Sequence, residues 1–597
     1  MQKNPTQKLI KDLYELMDQH GIRKDDETVS KLVVLSVLSK RNELPNDMKL
    51  DESLAEYKGE WLKLIKALQA SEDFQVQRLF SYDDSLEQLP LPLLHSVIKI
   101  LSKYQEVALE NTAEQLMNTI ILNSSKNSAT LPDLSISRLA YELLGDKKGK
   151  TIYATAPASL PFCAIASKES QAVYYETVNY SGMLADALSI ISENRFEVSY
   201  SNPLDKPCYS VSRNELQHFN YGVSFSPMGM TVPKHISDNI DAYDRFVVQT
   251  KKVESANILH LIEQCEDVVV ASVTEGILYS TMERDLRQYL VDNGMLKAVI
   301  SLPLGIWTGT FVKSSLLVIE PQGNNESVRF VDVTGDKFVE KTTRRLISLD
   351  NIDKIVEYVD SDEELACAIT VDKEVLRSKD YGLDTSAYIL DVEEKRAASI
   401  LEDSKTVTLD SIVRFERGLP FKPEKGDHIV LEVGANELNE VGDITEPTKE
   451  VKVSGVELNK NQSGILQPND IILILKGSAG KVGIVPEDVP TQGEGCWMAN
   501  RSGIVLRVSS NQIDAKALYA YLKSDLGQVQ LNSLVKGATI PNISLKELKT
   551  LPVVLPTLEQ QQQAANIVNK SRETQRAIQQ LLVEHEQRRR ELWCLSS

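Results

Sequence analysis

The chain has 597 residues, a length that corresponds to about four domains. Of these residues, 42% are hydrophobic and 25% charged, which is typical of soluble globular proteins. This composition excludes a disordered, collagen-like or fibrous protein, and no apolar run approaches the ~18 residues of a membrane span. The six cysteines are scattered singly and the seven histidines are dispersed, which argues against a zinc or disulfide framework. Because the first residues also lack the apolar segment of a signal peptide, we expect a cytoplasmic protein without a metal site.

The net charge of −19 is distributed unevenly along the chain. Residues 1–400 carry 43 basic and 60 acidic side chains, a balance of −17, whereas residues 401–597 carry 23 and 25, a balance of −2. The final 97 residues have a balance of +5. Because salt screens charges beyond ~8–10 Å, a local basic surface can bind phosphate despite a remote acidic domain. DNA binding is therefore possible, and we expect it in the C-terminal third.

Residues 1–120 carry apolar side chains at helical spacing. The pattern recurs in KLIKDLYELM, KLVVLSVLSK, EWLKLIKALQ and LPLLHSVIKILSKY, and this spacing places the apolar side chains on one face of each helix. A small helical bundle, whose apolar faces contact one another, is therefore predicted for this region.

From about Lys150, short strand-like runs alternate with helical ones. The apolar runs are TIYATA, QAVYYET, YGVSFSP, DVVVASV, LKAVISLP, SSLLVIEP and VRFVDVT. The run MERDLRQYLVDNG predicts a helix that ends at Gly294. This alternation predicts a mostly parallel, doubly wound sheet. After about residue 350, the segments DSDEEL and LDVEEKRAAS predict a connection between domains.

The last third of the chain has a different pattern. From Thr406 to about Pro556, short strands alternate with glycine turns, as in ILQPNDIILILKGSAGKVGIVP. Residues 557–592 contain neither glycine nor proline and predict one long amphipathic helix. Its stripe consists of Ala564, Val568, Ser571, Gln575, Ile578, Leu582 and His585. Such a stripe predicts packing, either against an antiparallel partner helix or against the helix's own domain.

Two parts of the chain resemble subunits of type I restriction–modification enzymes. The run DLRQYLVDNGMLKAVISLPLGIWTGTFVKSSLLVIEP resembles the closing strands of the methylation subunit, in which the family pattern falls on Leu302, Pro303, Gly305, Trp307, Thr310, Val312 and Ser314. The C-terminal third resembles one target-recognition half of a specificity subunit, on segments that include TLDSIVRFERGLPF, LYAYLKSDLGQ and VKGATIPNISLKELKTLPVVLPTLEQQ.

The resemblance implies a multidomain α/β protein. We expect a helical N-terminal domain over 1–125 and a Rossmann-like, methyltransferase-type α/β domain over 126–350. A linker with a helix is expected over 351–400, and a mixed α+β target-recognition domain over 401–556. The C-terminal long helix, a spacer or dimerisation helix, is expected over 557–597.

In that family, S-adenosylmethionine lies over a turn of the pattern Asp-Pro-x-Cys-Gly-Ser/Thr-Gly, because any Cβ there would collide with the cofactor. The matching run here is IYATAPASLPF, so Ala154 replaces the aspartate, and Ala158 and Leu160 replace the glycines. Glu176 matches the acidic residue that binds the ribose hydroxyls, although a single carboxylate at a strand end is more often exposed to solvent. The resemblance implies a degenerate cofactor site that retains only Glu176.

The catalytic motif of the family, Asn/Asp-Pro-Pro-Tyr/Phe, is also altered. Its amide accepts a hydrogen bond from the adenine amino group, and its aromatic ring stacks on the flipped base. Here Phe225 stands at the amide position, Ser226 replaces the first proline, Pro227 keeps the second and Met228 replaces the ring. Because phenylalanine has no acceptor, we expect no methylation, although a misalignment of the motif would also explain the mismatch.

The C-terminal third keeps residues suited to DNA, which requires side chains for base edges and cations for phosphates. The turn KGSAGK offers Lys476, Ser478 and Lys481 but is not a P-loop, because no Gly-Lys-Ser/Thr follows in a strand–loop–helix context. A bare turn of this kind is more often a surface hairpin. In similar domains the segments that approach the duplex contain the residues equivalent to Arg501, Arg507, Lys536, Thr539 and Asn542. Those eight residues are our predicted DNA-binding set, whereas Trp497 is predicted to lie in the core.

The expected function is sequence-specific binding of double-stranded DNA by a fused methylase–specificity chain whose methylase part is inactive. It would serve a bacterial restriction or phage-defence assembly, with restriction, translocase or methylase subunits as partners and no membrane. A homodimer through residues 557–592 would read an inverted repeat. Two alternatives stay open. One is an active adenine methyltransferase that uses S-adenosylmethionine, whereas the leading interpretation needs no cofactor. The other is a protein-interaction scaffold without DNA binding.

Overall fold

The fold is taken from a computed structural model, whose helices and strands are numbered here in chain order. The described residues are 4–22, 25–45, 48–51, 54, 58–105, 107–124, 130–169, 172–178, 183–234, 243–342, 346–390, 392–418, 426, 428–439, 443–460, 462–536 and 541–592. The chain forms two compact units, Met1–Ile389 and Leu390–Ser597. Among the described residues, no helix is both long and apolar enough to cross a membrane.

The first unit begins with helices, as the apolar spacing predicts. The helices before the sheet are α1 (Pro5–Gln19), α2 (Asp26–Lys40), α3 (Lys58–Gln69), α4 (Phe74–Ser81), α5 (Leu91–Lys103), α6 (Thr112–Asn123) and α7 (Leu134–Leu143). Helix α2 is central, because eleven of its 15 residues are buried, and a helix that is apolar on most faces lies inside a protein. Asp25 caps it by accepting a hydrogen bond from the backbone N–H of Thr28.

A nine-stranded sheet follows, in the order β3-β2-β1-β6-β7-β9-β8-β10-β13, and β9 and β13 alone run antiparallel to the other strands. The strands of the first unit are β1 (Thr151–Thr155), β2 (Ala172–Thr177), β3 (Glu197–Tyr200), β4 (Ser210–Ser212), β5 (Glu215–Leu216), β6 (Phe219–Phe225), β7 (Cys265–Thr274), β8 (Leu296–Ser301), β9 (Ser314–Ile319), β10 (Ser327–Asp332), β11 (Val339–Lys341), β12 (Ile347–Leu349) and β13 (Ala368–Asp372). The mostly parallel sheet predicted from the alternating pattern is therefore confirmed.

Helices cover both faces of this sheet. They are α8 (Leu160–Ala166), α9 (Leu184–Ile191), α10 (Val253–Gln264), α11 (Glu275–Tyr279), α12 (Arg284–Asp292), α13 (Ile352–Asp360) and α14 (Lys373–Ser378). Because successive side chains of a strand point to opposite faces, Ile152 and Ala154 join the core shared with the N-terminal helices, whereas Tyr153 joins the core under α10. Helix α12 ends before Gly294, whose φ of 67° lies in the left-handed region that favours glycine.

The second unit contains small sheets and helices. Its strands are β14 (Thr406–Thr408), β15 (Val413–Arg417), β16 (His428–Val433), β17 (Lys449–Val453), β18 (Ile471–Ile474), β19 (Val482–Ile484), β20 (Cys496–Ala499), β21 (Gly503–Val508), β22 (Val535–Lys536), β23 (Asn542–Ile543) and β24 (Pro552–Val554). The larger sheets have the orders β15-β21-β18-β19 and β17-β16-β20. Its helices are α15 (Val392–Glu402), α16 (Leu409–Ile412), α17 (Gly455–Lys460), α18 (Ala515–Lys523), α19 (Asp525–Ser533), α20 (Leu545–Lys549) and the 35-residue α21 (Leu558–Leu592).

Candidate cofactor pocket and DNA-binding edge

The turns after β1 and β6 meet at the carboxyl edge of the sheet. The two strands are parallel neighbours, with Thr155 beside Ser224, and this edge is where open α/β sheets bind their ligands. The run that the resemblance aligns with the cofactor loop follows β1, and the run aligned with the catalytic motif follows β6. The two altered motifs therefore lie next to each other in space.

The turn after β1 is closed by its own residues. Ala156 has φ 74° and ψ 147°, a backbone conformation that only glycine adopts without strain. Ser159, which is fully buried, donates a 2.5 Å hydrogen bond to the carbonyl of Thr155 and accepts one of 2.7 Å from the backbone N–H of Phe225. This hydroxyl therefore joins the turn to the end of β6.

The three residues that replace family positions in the turn are apolar and buried. Ala154 is fully buried, and Ala158 and Leu160 are 8% and 7% exposed. All three belong to the apolar core that the sheet shares with the N-terminal helices. Leu160 begins α8 directly after the turn, so its side chain occupies core space at the position where the family has a glycine.

Phe225 fills the end of β6 with an aromatic ring. Its side chain is fully buried, and its ring lies edge-on to that of Trp307, with 6.0 Å between centroids and an interplanar angle of 83°. The indole N–H of Trp307 donates a 2.7 Å hydrogen bond to the hydroxyl of Ser314. The Phe225 side chain itself therefore offers no hydrogen-bond acceptor at the position that the resemblance aligns with the family's amide.

The other three motif residues also have structural contacts. The Ser226 hydroxyl accepts a 2.9 Å hydrogen bond from the Asn257 side chain and lies 3.0 Å from that of Ser224. Pro227 is half-buried, and the half-buried Met228 packs against the core. None of these side chains supplies the flat, exposed ring on which a flipped base stacks.

Glu176 is buried, so the expectation that it lies at a solvent-exposed strand end is wrong. Its carboxylate accepts hydrogen bonds from the hydroxyls of Tyr153, at 2.8 Å, and Ser201, and from the backbone N–H of Cys208, at 2.9 Å. A carboxylate taken out of water needs such donors. Both of its oxygens are therefore occupied by the protein itself.

The contacts of Glu176 continue into a buried chain of polar groups. The Tyr153 hydroxyl lies 3.0 Å from Nε2 of His260, and Nη1 of Arg245 lies 3.0 Å from Nδ1 of the same ring. Because a guanidinium can only donate, Nδ1 accepts, Nε2 carries the proton, and the tyrosine donates to the carboxylate. Burial, together with the nearby Arg245 charge, holds the pKa of His260 well below its ordinary value.

In the second unit, three segments meet at one end of the sheet β15-β21-β18-β19. The backbone N–H of Leu475 donates to the carbonyl of Ser502 at 2.7 Å, and that of Ile543 donates to the carbonyl of Leu475 at 2.8 Å. Lys476 forms a β-bridge with Asn542, which in turn pairs with Lys536 between β23 and β22. These contacts bring together residues that lie up to 68 positions apart.

The predicted DNA-binding residues divide into two groups. Lys476, Ser478, Arg501 and Asn542 are exposed, and Lys536 is partly exposed and forms a 2.6 Å ion pair with Glu547. All five belong to the segments that meet at this end of the sheet or to the turns that leave it. We call this set the basic edge. Thr539 lies outside the described residues.

Two predicted DNA-binding residues have intramolecular roles instead. Arg507 forms a 2.7 Å ion pair with Asp470 and donates to the carbonyls of Ser463 and Ile465. Lys481 donates to the carbonyl of Ala435 at 2.8 Å. We define the basic edge without these two residues because their side chains are engaged within the unit, and their contact with DNA stays a prediction.

One basic residue at the same end of the sheet was missed in the sequence. Arg417 is the exposed last residue of β15 and pairs with Ile504 of β21, two positions after the exposed turn that holds Arg501 and Ser502. The signal available was the sequence Arg417-Gly418, an arginine at a strand end directly before a turn. Trp497, by contrast, is 5% exposed and lies in the core, as predicted.

The long helix α21 packs against its own unit along its first half only. Val568 is 3% exposed and belongs to the core of the unit. In the second half, Ile578, Leu581, Leu582 and Val583 are 49%, 65%, 62% and 65% exposed. The helix's own domain therefore covers the first half of the stripe. The exposed second half is still available to a partner helix, the other alternative that the sequence suggests.

Two family models match the chain. The model of the N-6 DNA methylases matches residues 113–397, and that of the type I restriction modification DNA specificity domain matches residues 402–584. The two matches meet at residues 398–401, and the matched ranges include the two runs aligned with family motifs and the basic edge.

Similar proteins include two curated methylase subunits. That of the type I restriction enzyme MpnII of Mycoplasma pneumoniae is 29% identical over 216 residues, which is 35% of this chain and 36% of the relative. That of the enzyme MjaVII of Methanocaldococcus jannaschii is 26% identical over 152 residues, which is 23% of this chain and 26% of the relative. The matches therefore span about a third of the relatives' length or less.

A solved structure has a similar fold over about two thirds of the chain. The methyltransferase subunit of a type I restriction-modification system from Streptococcus thermophilus covers 65% of this chain and 92% of its own, with a TM-score of 0.50 and 15% identity. At this identity the likeness concerns the fold alone.

Proposed function

The chain belongs to the type I restriction–modification family as a fusion of a methylase-type domain with a DNA specificity domain, and from this premise we propose its function. It binds double-stranded DNA sequence-specifically through the basic edge, while its methylase-type domain serves as a scaffold that does not transfer methyl groups. The observation that carries this proposal is the packing of the buried Phe225 ring against Trp307 at the catalytic position.

The residues at the cofactor position do not fit S-adenosylmethionine. Ala158 and Leu160, whose side chains are buried in the apolar core, stand where the family has the glycines that let the backbone approach the cofactor. The one retained ligand, Glu176, has both carboxylate oxygens engaged by Tyr153, Ser201 and the Cys208 backbone. The ribose hydroxyls would have to compete with these buried donors for the same carboxylate oxygens. We therefore assign no step of a reaction to this domain.

The basic edge supports the DNA-binding part of the proposal. Lys476, Arg501 and the added Arg417 are exposed cations at one end of a rigid sheet, where they can neutralise phosphates. Ser478 and Asn542 add short polar side chains of the kind that reach base edges. Residues on loops held by a rigid scaffold are typical of binding sites.

The exposed half of α21 supports assembly of two copies. A monomer rarely leaves four neighbouring aliphatic side chains about half or more exposed on one helix. Here Ile578 is 49% exposed, and Leu581, Leu582 and Val583 are each more than 60% exposed. We propose that a second copy covers them by two-fold symmetry, so that two recognition domains read an inverted repeat. Restriction, translocase or methylase subunits of a cytoplasmic defence assembly would then supply the chemistry that this chain lacks.

A titration of the full chain into a labelled pool of random duplex DNA tests the proposal. We expect binding whose affinity falls steeply with salt, because displaced counterions accompany each phosphate contact, and enrichment of one sequence after repeated selection. Binding that is weak and insensitive to salt would instead favour a protein-interaction scaffold. Incorporation of methyl groups from labelled S-adenosylmethionine into the selected duplex would favour an active methyltransferase and overturn the scaffold proposal.

A further inference from the structure

Helix α21 is held to the second unit at several points along its first half. The Gln561 side chain accepts a 2.9 Å hydrogen bond from the backbone N–H of Asp514 and donates one of 3.0 Å to the carbonyl of Gln512. Further along, Lys516 donates to Asn569 at 2.9 Å. Together with the buried Val568, these contacts anchor the beginning of the helix.

Arg572 makes the most extensive of these contacts. Its side chain is 8% exposed, although its neighbours Glu573 and Lys570 are exposed. Nε donates to Asp443 at 2.6 Å, Nη1 to Glu487 at 3.0 Å, and Nη2 to the Asn469 side chain at 3.0 Å and the Val485 carbonyl at 3.3 Å. A planar guanidinium with five fixed donors can hold several acceptors in one orientation, which a lysine ammonium cannot do.

Gln575, three residues later, also holds the helix to the unit. Its Oε1 accepts a 2.6 Å hydrogen bond from the backbone N–H of Asp443, and its Nε2 donates a 2.9 Å hydrogen bond to the carbonyl of the same residue. Residues 576–590 are all exposed. At 1.5 Å per residue, the segment from 576 to 592 extends about 26 Å beyond Gln575.

We propose that Arg572 is a positioning residue that sets the direction of the projecting half of α21 and thereby the separation of the two DNA half-sites. This inference rests on the proposed paired recognition of DNA. In a two-fold assembly, the projecting halves join the two recognition domains, so the angle at which each half leaves its domain determines the distance between the domains. A tilt of about 10° over 26 Å displaces the end by roughly 4–5 Å, more than one base-pair step of ~3.4 Å.

The contacts of Arg572 are suited to this role because they lie where the helix leaves the domain. Gln561 and Val568 already attach the first turns, so the fold of the unit does not depend on Arg572 alone. The acceptors of Arg572 come from three separate segments, around Asp443, Asn469 and Glu487. Three directions of attachment restrict both the tilt and the rotation of the helix, whereas one contact would leave a hinge.

The test uses the full chain and duplexes selected by it from a random pool. Each selected half-site is tested alone and as an inverted repeat whose separation increases by one base pair at a time. Wild-type protein should show one sharp optimum of separation. For Arg572→Ala we expect the affinity for the single half-site to be unchanged. Its affinity at the wild-type optimum should fall roughly tenfold, to a value similar to its own affinities at the adjacent separations. Arg572→Lys should behave like the alanine variant, and Lys570→Ala, an exposed neighbour, like the wild type.

The outcomes separate this inference from the function on which it rests. A wild-type protein without any preferred separation would overturn paired recognition and the positioning role with it. A sharp wild-type optimum that Arg572→Ala leaves equally sharp would overturn the positioning role alone. Should Arg572→Ala fail to fold, Gln575→Ala removes only the two hydrogen bonds to the Asp443 backbone. We expect this variant to broaden the optimum of separation to a smaller degree. An unchanged separation profile of Gln575→Ala would then contradict the proposal.

Discussion

The backbone N–H of Phe225 donates a 2.7 Å hydrogen bond to the hydroxyl of Ser159, although 66 residues separate them in the chain. Ser159 belongs to the turn that would hold a methyl donor and Phe225 to the motif that would hold the target base. The bond therefore ties together the two segments between which a methylase would hold its methyl donor and its target base. A buried N–H that lost this partner would cost about 1–3 kcal/mol, so the closed form is favoured without a ligand.

Restoring the family's amide at the catalytic position is expected to destabilise the protein. Phe225→Asn removes a buried ring that packs on Trp307 and introduces an amide without partners, so the free energy of unfolding should fall by about 3–5 kcal/mol. Urea unfolding of the full chain measures this change. Phe311→Asn is the matched control, because Phe311 is 62% exposed and its replacement should change stability little. A neutral Phe225→Asn would mean that the pocket has room and donors for an amide.

The buried His260 should make stability depend on pH. Its pKa is lowered by burial and by Arg245, so it stays neutral in the folded protein, whereas the unfolded chain takes up a proton near its ordinary pKa of about 6.5. The free energy of unfolding contributed by this group is therefore constant above that pH. It falls below that pH by up to about 1.4 kcal/mol per pH unit.

The variant His260→Gln lacks this titration and provides the measurement. The difference in unfolding free energy between wild type and variant should shrink by about 1.4 kcal/mol between about pH 7.5 and about pH 5.5. A difference that does not change with pH would contradict the assignment of a neutral, buried histidine in contact with Tyr153.

The cations of the basic edge should contribute to DNA affinity through phosphates. The logarithm of affinity falls with the logarithm of salt concentration, with a slope of about −0.9 for each phosphate contact. Lys476→Gln and Arg501→Gln should each make this slope less steep by about 0.9. Fluorescence anisotropy with the selected duplex at several salt concentrations gives this slope. Lys452→Gln, an exposed lysine on β17 of the other sheet, serves as the control. Equal effects of all three variants would point to unspecific charge attraction.

The apolar half of α21 should determine the oligomeric state. Replacing Leu581 and Leu582 together by glutamate places two charges in the contact between copies, and we expect a monomer in sedimentation equilibrium where the wild type is a dimer. Gln580→Glu adds a charge in the same turn, about 100° from Leu581 around the helix and about 160° from Leu582, and should leave the dimer intact. Wild-type protein that stays monomeric at every concentration tested would exclude this contact.

The periodic features of the fold could be predicted from the sequence, because they depend on neighbours along the chain. The local pattern predicts the helix that ends before Gly294 and the strand that follows it, and the absence of glycine and proline predicts the single helix Leu558–Leu592. The position of Phe225 at a strand end also follows from the local pattern. Any helix or strand that buries one face needs apolar residues at the spacing that places them on that face, so these features are visible in the sequence.

Contacts between distant segments could not be predicted in this way. Glu176 has the sequence context of an exposed strand end, and only the packing of Tyr153 and Ser201 around it makes it buried. Arg572 has the sequence context of an exposed polar residue on a helix, yet it is buried and donates hydrogen bonds to acceptors from three separate segments. The stripe of α21 likewise has one spacing throughout, yet its first half is covered by the unit and its second half is exposed, which the spacing alone does not reveal.

A calorimetric titration of the full chain with S-adenosylmethionine tests the central claim most directly. The closed turn at Leu160 and the engaged carboxylate of Glu176 predict no saturable heat, under conditions in which an active adenine methyltransferase, run in parallel, binds the ligand with a clear endpoint. Saturable binding near one equivalent per chain would contradict the account, because the cofactor position would then be open.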